Sequence, residues 1–129
     1  MEYFDKNFSK DEELLRALWP ITHPKGKALW VKDGVISTSA FKDPNGCSVD
    51  RTAGRDLEEA VSSMRKRFHG SAAVVTVGDC EDKPSVLLDD DKPYHVQLYR
   101  SETEVLLSND QCFDLAEAAN QRKPRKIPE

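Results

Sequence analysis

Three polar residues that are able to bind a ligand lie close together in the sequence, and a fourth lies further along. Ser48, Asp50 and Arg51 share one short segment, and His95 follows a proline-fixed turn. Arginine offers a rigid cationic fork for an anion, and histidine exchanges protons near neutral pH. We therefore predict that these side chains bind an anionic ligand or an acidic segment of a partner. The alternative is that Asp50 and Arg51 pair with each other or with neighbours while His95 bonds a backbone carbonyl.

A second arrangement predicts a phosphate cradle. Arg51 and Arg55, with Ser48 and Thr52, lie between a predicted strand and a predicted helix. Guanidinium and hydroxyl groups near a helix N-terminus are well suited to phosphate. The alternative is that Arg55 lies on a solvated helix face.

Metal binding and thiol chemistry are not predicted. His23, His95 and Asp50 are of the types that bind metals, but the sequence contains no His-x-His or His-x₃-His pair. His69 is expected to stabilise a helix C-terminus. Cys47 has no evident His or Asn partner, so we interpret it as a small strand residue.

The overall charge argues against a nucleic-acid partner. The 129 residues include 19 Lys and Arg against 23 Asp and Glu, for a net charge of −4. Two basic clusters, Arg65-Lys66-Arg67 and residues 122–126, are therefore interpreted as solvated faces. A protein is the predicted partner, with no membrane association, because no apolar run approaches the length of a membrane span.

The N-terminal half is predicted to place these residues on one helix, a hairpin and a strand. A capping-box sequence at residues 9–12 precedes leucines at helical spacing and predicts a helix that ends at Pro20. Asp33-Gly34, flanked by Leu29-Trp30-Val31 and by the β-prone residues 35–39, predicts a hairpin. Pro44-Asn45-Gly46 predicts a turn that leads into a strand over residues 47–51.

The second half alternates apolar runs with two helical patterns. Residues 55–68 predict a helix capped by Gly70, and residues 72–77 predict a strand covered on both faces. Residues 79–92 are acidic and turn-rich around an apolar island at 86–88, and residues 95–100 and 104–107 predict strands. Asn109 or Asp110 is expected to cap a last helix that ends near Gln121, and its predicted inner face contains Cys112, Phe113, Ala116 and Ala119.

This order of elements predicts an α+β domain with a mixed or mostly antiparallel sheet and two or three packing helices. Residues 1–121 are expected to form one domain, followed by a frayed basic tail at 122–129. Three widely spaced cysteines and the lack of a signal peptide predict a protein of the reducing cytoplasm.

Several short motifs recur in an order that resembles a widespread family of small uncharacterised bacterial proteins. They cover residues 18–100 and comprise His23-Pro24, the segment 31–41 that contains Asp33-Gly34 and Ser39-Ala40-Phe41, Ser48-Val49-Asp50-Arg51, Val75-Thr76-Val77, and Pro93-Tyr94-His95-Val96. The chain departs from the family pattern by Val35, where arginine is usual, and by a Lys-Gly-Lys insertion after Pro24. The resemblance implies no activity, but it adds Ser39 to the predicted converging surface.

Two further segments are similar to the ADP-ribosyltransferase superfamily. Ser37-Thr38-Ser39 is spelled like its S-T-S motif, and Glu102 to Leu107 is spelled like its E-x-E-V-L-L segment. The resemblance implies that Ser39, His95 and Glu104 are catalytic candidates and that NAD is the cofactor or substrate. The alternative is that both motifs are structural, because S-T-S suits any half-exposed strand and E-x-E is common in a chain with 23 acidic residues.

Two functions are therefore weighed. The first is a small cytoplasmic accessory or interaction protein of a bacterial or phage-borne operon, without a catalytic constellation or cofactor. The alternative is an ADP-ribosyltransferase-like enzyme or ligand-binding protein that acts on NAD or a phosphorylated ligand. A cleft that joins Ser39, Arg51, His95 and Glu104 would favour the alternative, and dispersal of these residues would favour the first.

Overall fold

The computed structural model describes residues 8–19, 30–88 and 92–129. The predicted metal candidate His23 and the helix-ending Pro20 lie outside these ranges. Within them the strands are β1 (Leu14–Leu18), β2 (Val31–Lys32), β3 (Val35–Ile36), β4 (Cys47–Arg51), β5 (Ser71–Val75), β6 (Ser85–Leu88), β7 (His95–Tyr99) and β8 (Arg125–Lys126). The α-helices are α1 (Leu57–Ser63) and α2 (Asn109–Arg122), and short 3₁₀ helices occupy Thr38–Phe41, Met64–Lys66 and Val77–Asp79.

One antiparallel sheet organises the fold. Its six strands lie in the order β6-β7-β4-β1-β5-β8, and β2 and β3 form a separate hairpin. The structure confirms the predicted α+β class with an antiparallel sheet. Because β4 lies between β7 and β1, its side chains meet residues of both strands.

The predicted first helix is wrong, because residues 14–18 form strand β1. All five of its residues pair with β5. Leu14 and Leu18 join one core cluster, and Leu15 joins the other. A strand buried on both faces has a continuous apolar sequence, which can resemble helical spacing over a short run. Strand pairing and burial here outweigh the local helix signal.

The sheet separates two apolar cores. A helix and a strand form where they are predicted, but both are shorter than expected, because α1 ends at Ser63 with a 3₁₀ extension to Lys66 and β5 ends at Val75. The larger core, which includes residues of α2, contains Leu14, Phe41, Val75, Leu98 and Leu115, among others. The smaller core contains α1 and the opposite side chains of β1 and β5: Leu15, Ala60, Val61, Met64, Ala72, Val74 and Ile127. Alternate β5 side chains therefore serve both cores, as expected of a strand covered on both faces.

The predicted hairpin is confirmed, but its second strand is shorter than expected. Asp33 and Gly34 have φ values of 53° and 79°, the positive values that a tight hairpin turn of this class requires. The strand ends at Ile36, and Thr38–Phe41 forms a 3₁₀ helix. This turn buries both Ala40 and Phe41 in the larger core, which a continued strand with alternating side chains would not allow.

The predicted strand over residues 104–107 is wrong. The backbone N–H groups of Arg100 and Ser101 donate to the carbonyls of Val105 and Glu104, so the segment folds back on itself. The edge strand next to β7 is instead β6, which contains the apolar island at residues 86–88.

The last helix is confirmed, with two local corrections. Its cap is Ser108, whose hydroxyl accepts from the Gln111 N–H at 3.1 Å while the Gln111 side chain accepts from the Ser108 N–H at 2.9 Å. This reciprocal capping box satisfies more backbone donors than the predicted caps at Asn109 or Asp110. Phe113 is 57% exposed and does not belong to the inner face, where Leu115 is buried.

The predicted frayed tail is also wrong. Arg125 and Lys126 pair with Ala72 and Ser71 as the edge strand β8. Ile127 is 2% exposed in the smaller core, and its N–H donates to the Gly70 carbonyl at 2.9 Å. Burial of one large apolar side chain and pairing with β5 hold the tail against the sheet.

The packing of α1 generates a stability prediction. Val61→Ala removes two buried methyl groups from the smaller core, so we expect urea unfolding to show a loss of about 1–3 kcal/mol. The matched control is Glu59→Ala on the exposed side of the same helix, which should change stability by less than about 0.5 kcal/mol. Equal stability of Val61→Ala and wild type would contradict this placement of α1.

Candidate functional site

Strands β4 and β7 bring Ser48, Asp50 and His95 together on the α1 side of the sheet. Asp50 pairs directly with His95, and Ser48 pairs with Gln97. The Ser48 hydroxyl Oγ lies 3.2 Å from His95 Nε2 and 3.5 Å from Gln97 Nε2. Side chains of directly opposed residues share one face of an antiparallel pair, which explains the grouping.

Asp50 is the buried acid of this group. It is 3% exposed and forms an ion pair with Arg67, which follows the 3₁₀ extension of α1. Burial raises the pKa of the Asp50 carboxyl, and the positive charge of Arg67, followed by His95 and Arg55, opposes this rise. A buried carboxyl with a perturbed pKa beside a histidine is a common feature of functional sites.

A cleft of about 360 Å³ opens beside these residues, where strands β1 and β4 separate. β1 pairs with β4 only at Leu14 and Leu15. Beyond these residues, the side chain of Arg16 connects the two strands. Its guanidinium donates to the carbonyls of Ala40 and Ser48 at 3.1 and 2.9 Å. We call this space the Asp50 cleft; it is lined by Ser48, Asp50 and His95 and by the aromatic rings of Trp19, Trp30 and Phe68.

A second depression shares His95 with the cleft and is strongly basic. It measures about 530 Å³. Lys66 and Arg67 reach it from the end of α1, and Lys92 reaches it from the turn before β7. None of the described residues that line it is acidic. We call it the basic groove; it is lined by Ser63, Lys66, Arg67, Lys92, Pro93, Tyr94 and His95.

Arg55 adds positive charge beneath the groove. Its guanidinium carbon lies 3.5 Å from the centroid of the Tyr94 ring. Its hydrogen bonds go to the carbonyls of Thr52 and Arg51 and to the Ser63 hydroxyl, at 2.9, 2.8 and 2.8 Å. All of these acceptors are neutral oxygens, so no hydrogen-bonded carboxylate offsets the positive charge of Arg55. This charge therefore contributes to the electrostatic potential of the groove.

Arg51 does not join the group in which the sequence placed it. Its Nε and Nη2 atoms each lie 2.9 Å from a carboxylate oxygen of Glu12, and its guanidinium stacks on Phe8. Thr52 donates to the Glu13 carbonyl, and Arg55 lies against Tyr94. Bidentate pairs of this kind are strong and directional. Three members of the predicted phosphate cradle, Arg51, Thr52 and Arg55, thus form internal contacts, and phosphate binding by them stays a prediction.

Of the three catalytic candidates under the ADP-ribosyltransferase resemblance, His95 belongs to this group, whereas Ser39 and Glu104 lie apart from it. Ser39 lies in the 3₁₀ helix after the hairpin, with its hydroxyl 2.7 Å from that of Ser37. Glu104 lies in the exposed loop after β7, 3.4 Å from Arg100, and lines a different depression with Lys42. The structure therefore does not form a cleft that joins Ser39, Arg51, His95 and Glu104.

The cysteines are buried thiols. Cys47, Cys80 and Cys112 are free, and burial raises the pKa of Cys80 to about 12 and that of Cys112 to about 11. Burial raises the pKa of Cys47 as well. Protonated thiols are poor nucleophiles and poor ligands. In the part of the chain that the structure describes, no cluster of three His, Cys, Asp or Glu side chains is arranged to hold a metal ion.

Sequence reasoning missed Lys66, Arg67, Lys92 and Tyr94 as site residues. The triplet Arg65-Lys66-Arg67 was interpreted as a solvated helix face. The helix instead tightens into a 3₁₀ turn at Met64–Lys66, which directs Arg67 back to Asp50. The only available signal was the proximity of this triplet to the predicted helix end.

Comparisons with known proteins do not place the chain in a family. No family model, curated protein or solved structure matches it. Among the described residues, no helix combines the length and the apolar character needed to cross a lipid bilayer.

The buried acid generates a prediction about pH. Because burial raises the pKa of Asp50 in the folded protein above its ordinary value of 3.8, the folded state holds a proton more readily than the unfolded chain. The contribution of Asp50 to the unfolding free energy therefore increases as pH falls through the folded-state pKa. We expect wild type to gain stability relative to Asp50→Asn as the pH is lowered from neutral towards the ordinary pKa value of 3.8.

Urea unfolding of both proteins across this range measures the difference. Asp56→Asn is the matched control, because Asp56 is exposed just before α1. A wild-type stability that falls relative to Asp50→Asn as the solution becomes acidic would contradict the raised pKa.

Proposed function

We propose that the chain is an interaction protein that binds an acidic segment of a partner protein in the basic groove. The observation that carries the proposal is the convergence of Lys66, Arg67 and Lys92 on one depression without a described acidic lining residue. The chain as a whole has a net charge of −4, so this concentration of positive charge is local. Complementary charge steers encounter with an acidic partner and excludes basic ones.

The groove also offers contacts beyond charge. Tyr94 is 39% exposed and presents an aromatic ring with a hydroxyl group, a combination favoured at protein interfaces. Arg55 holds the ring from behind, so Tyr94 is positioned before a partner arrives. A preorganised ring loses little conformational entropy on binding.

The setting of this function follows from the sequence. The resemblance of the chain's motifs to a family of small uncharacterised bacterial proteins supports an accessory role in a bacterial or phage-borne operon. Three free, buried cysteines support a reducing compartment, the cytoplasm. Two segments that carry the resemblance, 48–51 and 93–96, lie side by side at the site through the pairing of β4 with β7.

The second candidate function is binding of a small anion, such as NAD or a phosphorylated ligand. The same cationic groups favour it, together with the Ser48 and His95 side chains at the edge of the groove. ADP-ribosyltransferase chemistry has less support, because Ser39 and Glu104 lie apart from each other and from His95.

A titration with a fluorescently labelled oligoglutamate peptide tests the proposal. We expect saturable binding that weakens with added salt, and we expect Lys66→Gln combined with Lys92→Gln to weaken it about tenfold or more. Arg65→Gln is the matched control, because Arg65 is exposed on the same turn but does not line the groove. Arg51→Ala should leave binding unchanged, since Arg51 pairs with Glu12.

Equal binding by wild type and the double variant would contradict the proposal, as would an equal loss in Arg65→Gln. NAD and inorganic phosphate are titrated in parallel. Saturable binding of either one, lost in the double variant while the peptide fails to bind, would establish the second candidate function instead.

A further inference from the structure

Arg67 connects the basic groove to the buried acid. Its side chain is 46% exposed and lines the groove, while the Asp50 side chain with which it pairs is only 4% exposed. A carboxylate of a bound partner in the groove would therefore meet the same guanidinium that compensates Asp50. The Arg67 guanidinium would then contact two carboxylates, that of Asp50 and that of the partner.

The other groups that face Asp50 determine what happens when Arg67 is shared. His95 on β7 is its cross-strand neighbour, and Arg55 before α1 acts on it at longer range. Leu15 of β1 opposes it with an apolar side chain, and the Ser48 hydroxyl on its own strand bonds His95. Arg16 and Asp43 line the same cleft and are 3.9 Å apart as a pair. No described residue replaces Arg67 as a hydrogen-bonded cation on Asp50.

An ionised carboxylate buried to this extent depends on its partner. Removing one member of a buried ion pair leaves an uncompensated charge, which is far more unfavourable than a neutral group. A carboxyl responds to such a loss by taking up a proton. Burial already raises the pKa of Asp50 against the opposing effect of Arg67, so weaker contact with Arg67 would raise it further.

We infer that docking of an acidic segment in the basic groove is coupled to protonation of Asp50, because the partner carboxylate competes with Asp50 for Arg67. This inference presupposes the proposed function and names the regulation of the same site. The proton comes from solvent and ends on an Asp50 carboxylate oxygen, and Arg67 exchanges one carboxylate for another. One O–H bond forms on Asp50, and the bond to the same proton breaks in the hydronium ion or buffer acid that supplies it.

The coupling makes affinity depend on pH. If the bound complex holds one more proton than the free partners, lower pH favours the complex by mass action. The dissociation constant then falls by up to tenfold for each unit decrease in pH between the pKa values of Asp50 in the two states. At a pH above both pKa values, Asp50 is ionised in both states and the dissociation constant no longer changes with pH. The complex is weakest there.

Isothermal titration calorimetry with oligoglutamate tests the inference directly. Repeating the titration in buffers of different ionisation enthalpy gives the number of protons taken up on binding. We expect wild type to take up as much as one proton in the pH range where Asp50 is ionised in the free protein and protonated in the complex. We expect a clear reduction of this uptake in Asp50→Asn, which cannot titrate at this position. Asp56→Asn should retain the wild-type uptake, because Asp56 is exposed and precedes α1, whereas Arg67 follows the other end of that helix.

His95 supplies the competing explanation and therefore a second variant. If the uptake disappears in His95→Gln but persists in Asp50→Asn, the imidazole is the proton acceptor and the inference is wrong. If Asp50→Asn does not fold, a measurement on the wild type replaces the variant. The ¹³C chemical shift of the Asp50 carboxyl is then compared with and without peptide at one fixed pH. A shift towards the protonated value on binding supports the coupling, and no shift overturns it.

The outcomes for function and coupling are distinguishable. Absence of peptide binding by wild type at every pH would overturn the proposed function. Binding that is lost in the Lys66→Gln and Lys92→Gln double variant, but without proton uptake, would leave the function intact and overturn the coupling alone.

Discussion

Alternation along β4 places two neighbouring charges on opposite sides of the sheet, and the site depends on how each is compensated. Asp50 points towards α1 and is paired with Arg67, whereas Arg51 is paired with Glu12 on a segment that precedes β1. The first pair ties the end of α1 to the centre of the sheet. It also fixes the Arg67 guanidinium at the edge of the groove. In the described structure the Arg67 guanidinium is held there by the Asp50 carboxylate and by the Phe68 ring, whose centroid lies 4.8 Å away.

The remaining arginines explain why the positive charge is local. Arg122 pairs with Asp79, and Arg16 lies near Asp43, so both are matched by carboxylates as Arg51 is. Arg55 differs, because its partners are neutral oxygens and the Tyr94 ring. The basic groove is therefore a described surface to which Arg55 adds a positive charge that no hydrogen-bonded carboxylate offsets. Such a surface attracts an acidic segment at long range and binds it at short range.

Much of the fold follows from local sequence signals, and the failures have a common cause. The hairpin at Asp33 and Gly34 and the two helices are encoded by turn residues and periodicity, which act locally. Strand β1 and the tail strand β8 form by pairing with β5, which is distant from both in sequence. The local spacing of leucines therefore wrongly predicted a helix at β1, and the basic composition wrongly predicted a frayed tail at β8. Of the predicted ligand group, Ser48 and Asp50 share a face with His95. Arg51 cannot join them, because the side chains of neighbouring residues in a strand point to opposite faces of the sheet. This consequence could have been drawn from the sequence. The sequence did not predict that Lys92 and Arg67 line the same groove, because the position of Arg67 depends on the residue at which the helix ends.

Chemical-shift mapping by ¹H–¹⁵N correlation spectroscopy with oligoglutamate tests the central claim most directly, because it locates the bound segment on the intact protein. The account predicts that the largest amide shifts cluster at Lys66, Arg67, Tyr94 and His95, with Asp50 beneath them. Shifts centred instead on the loop that contains Glu104, or on the basic residues of β8, would contradict it.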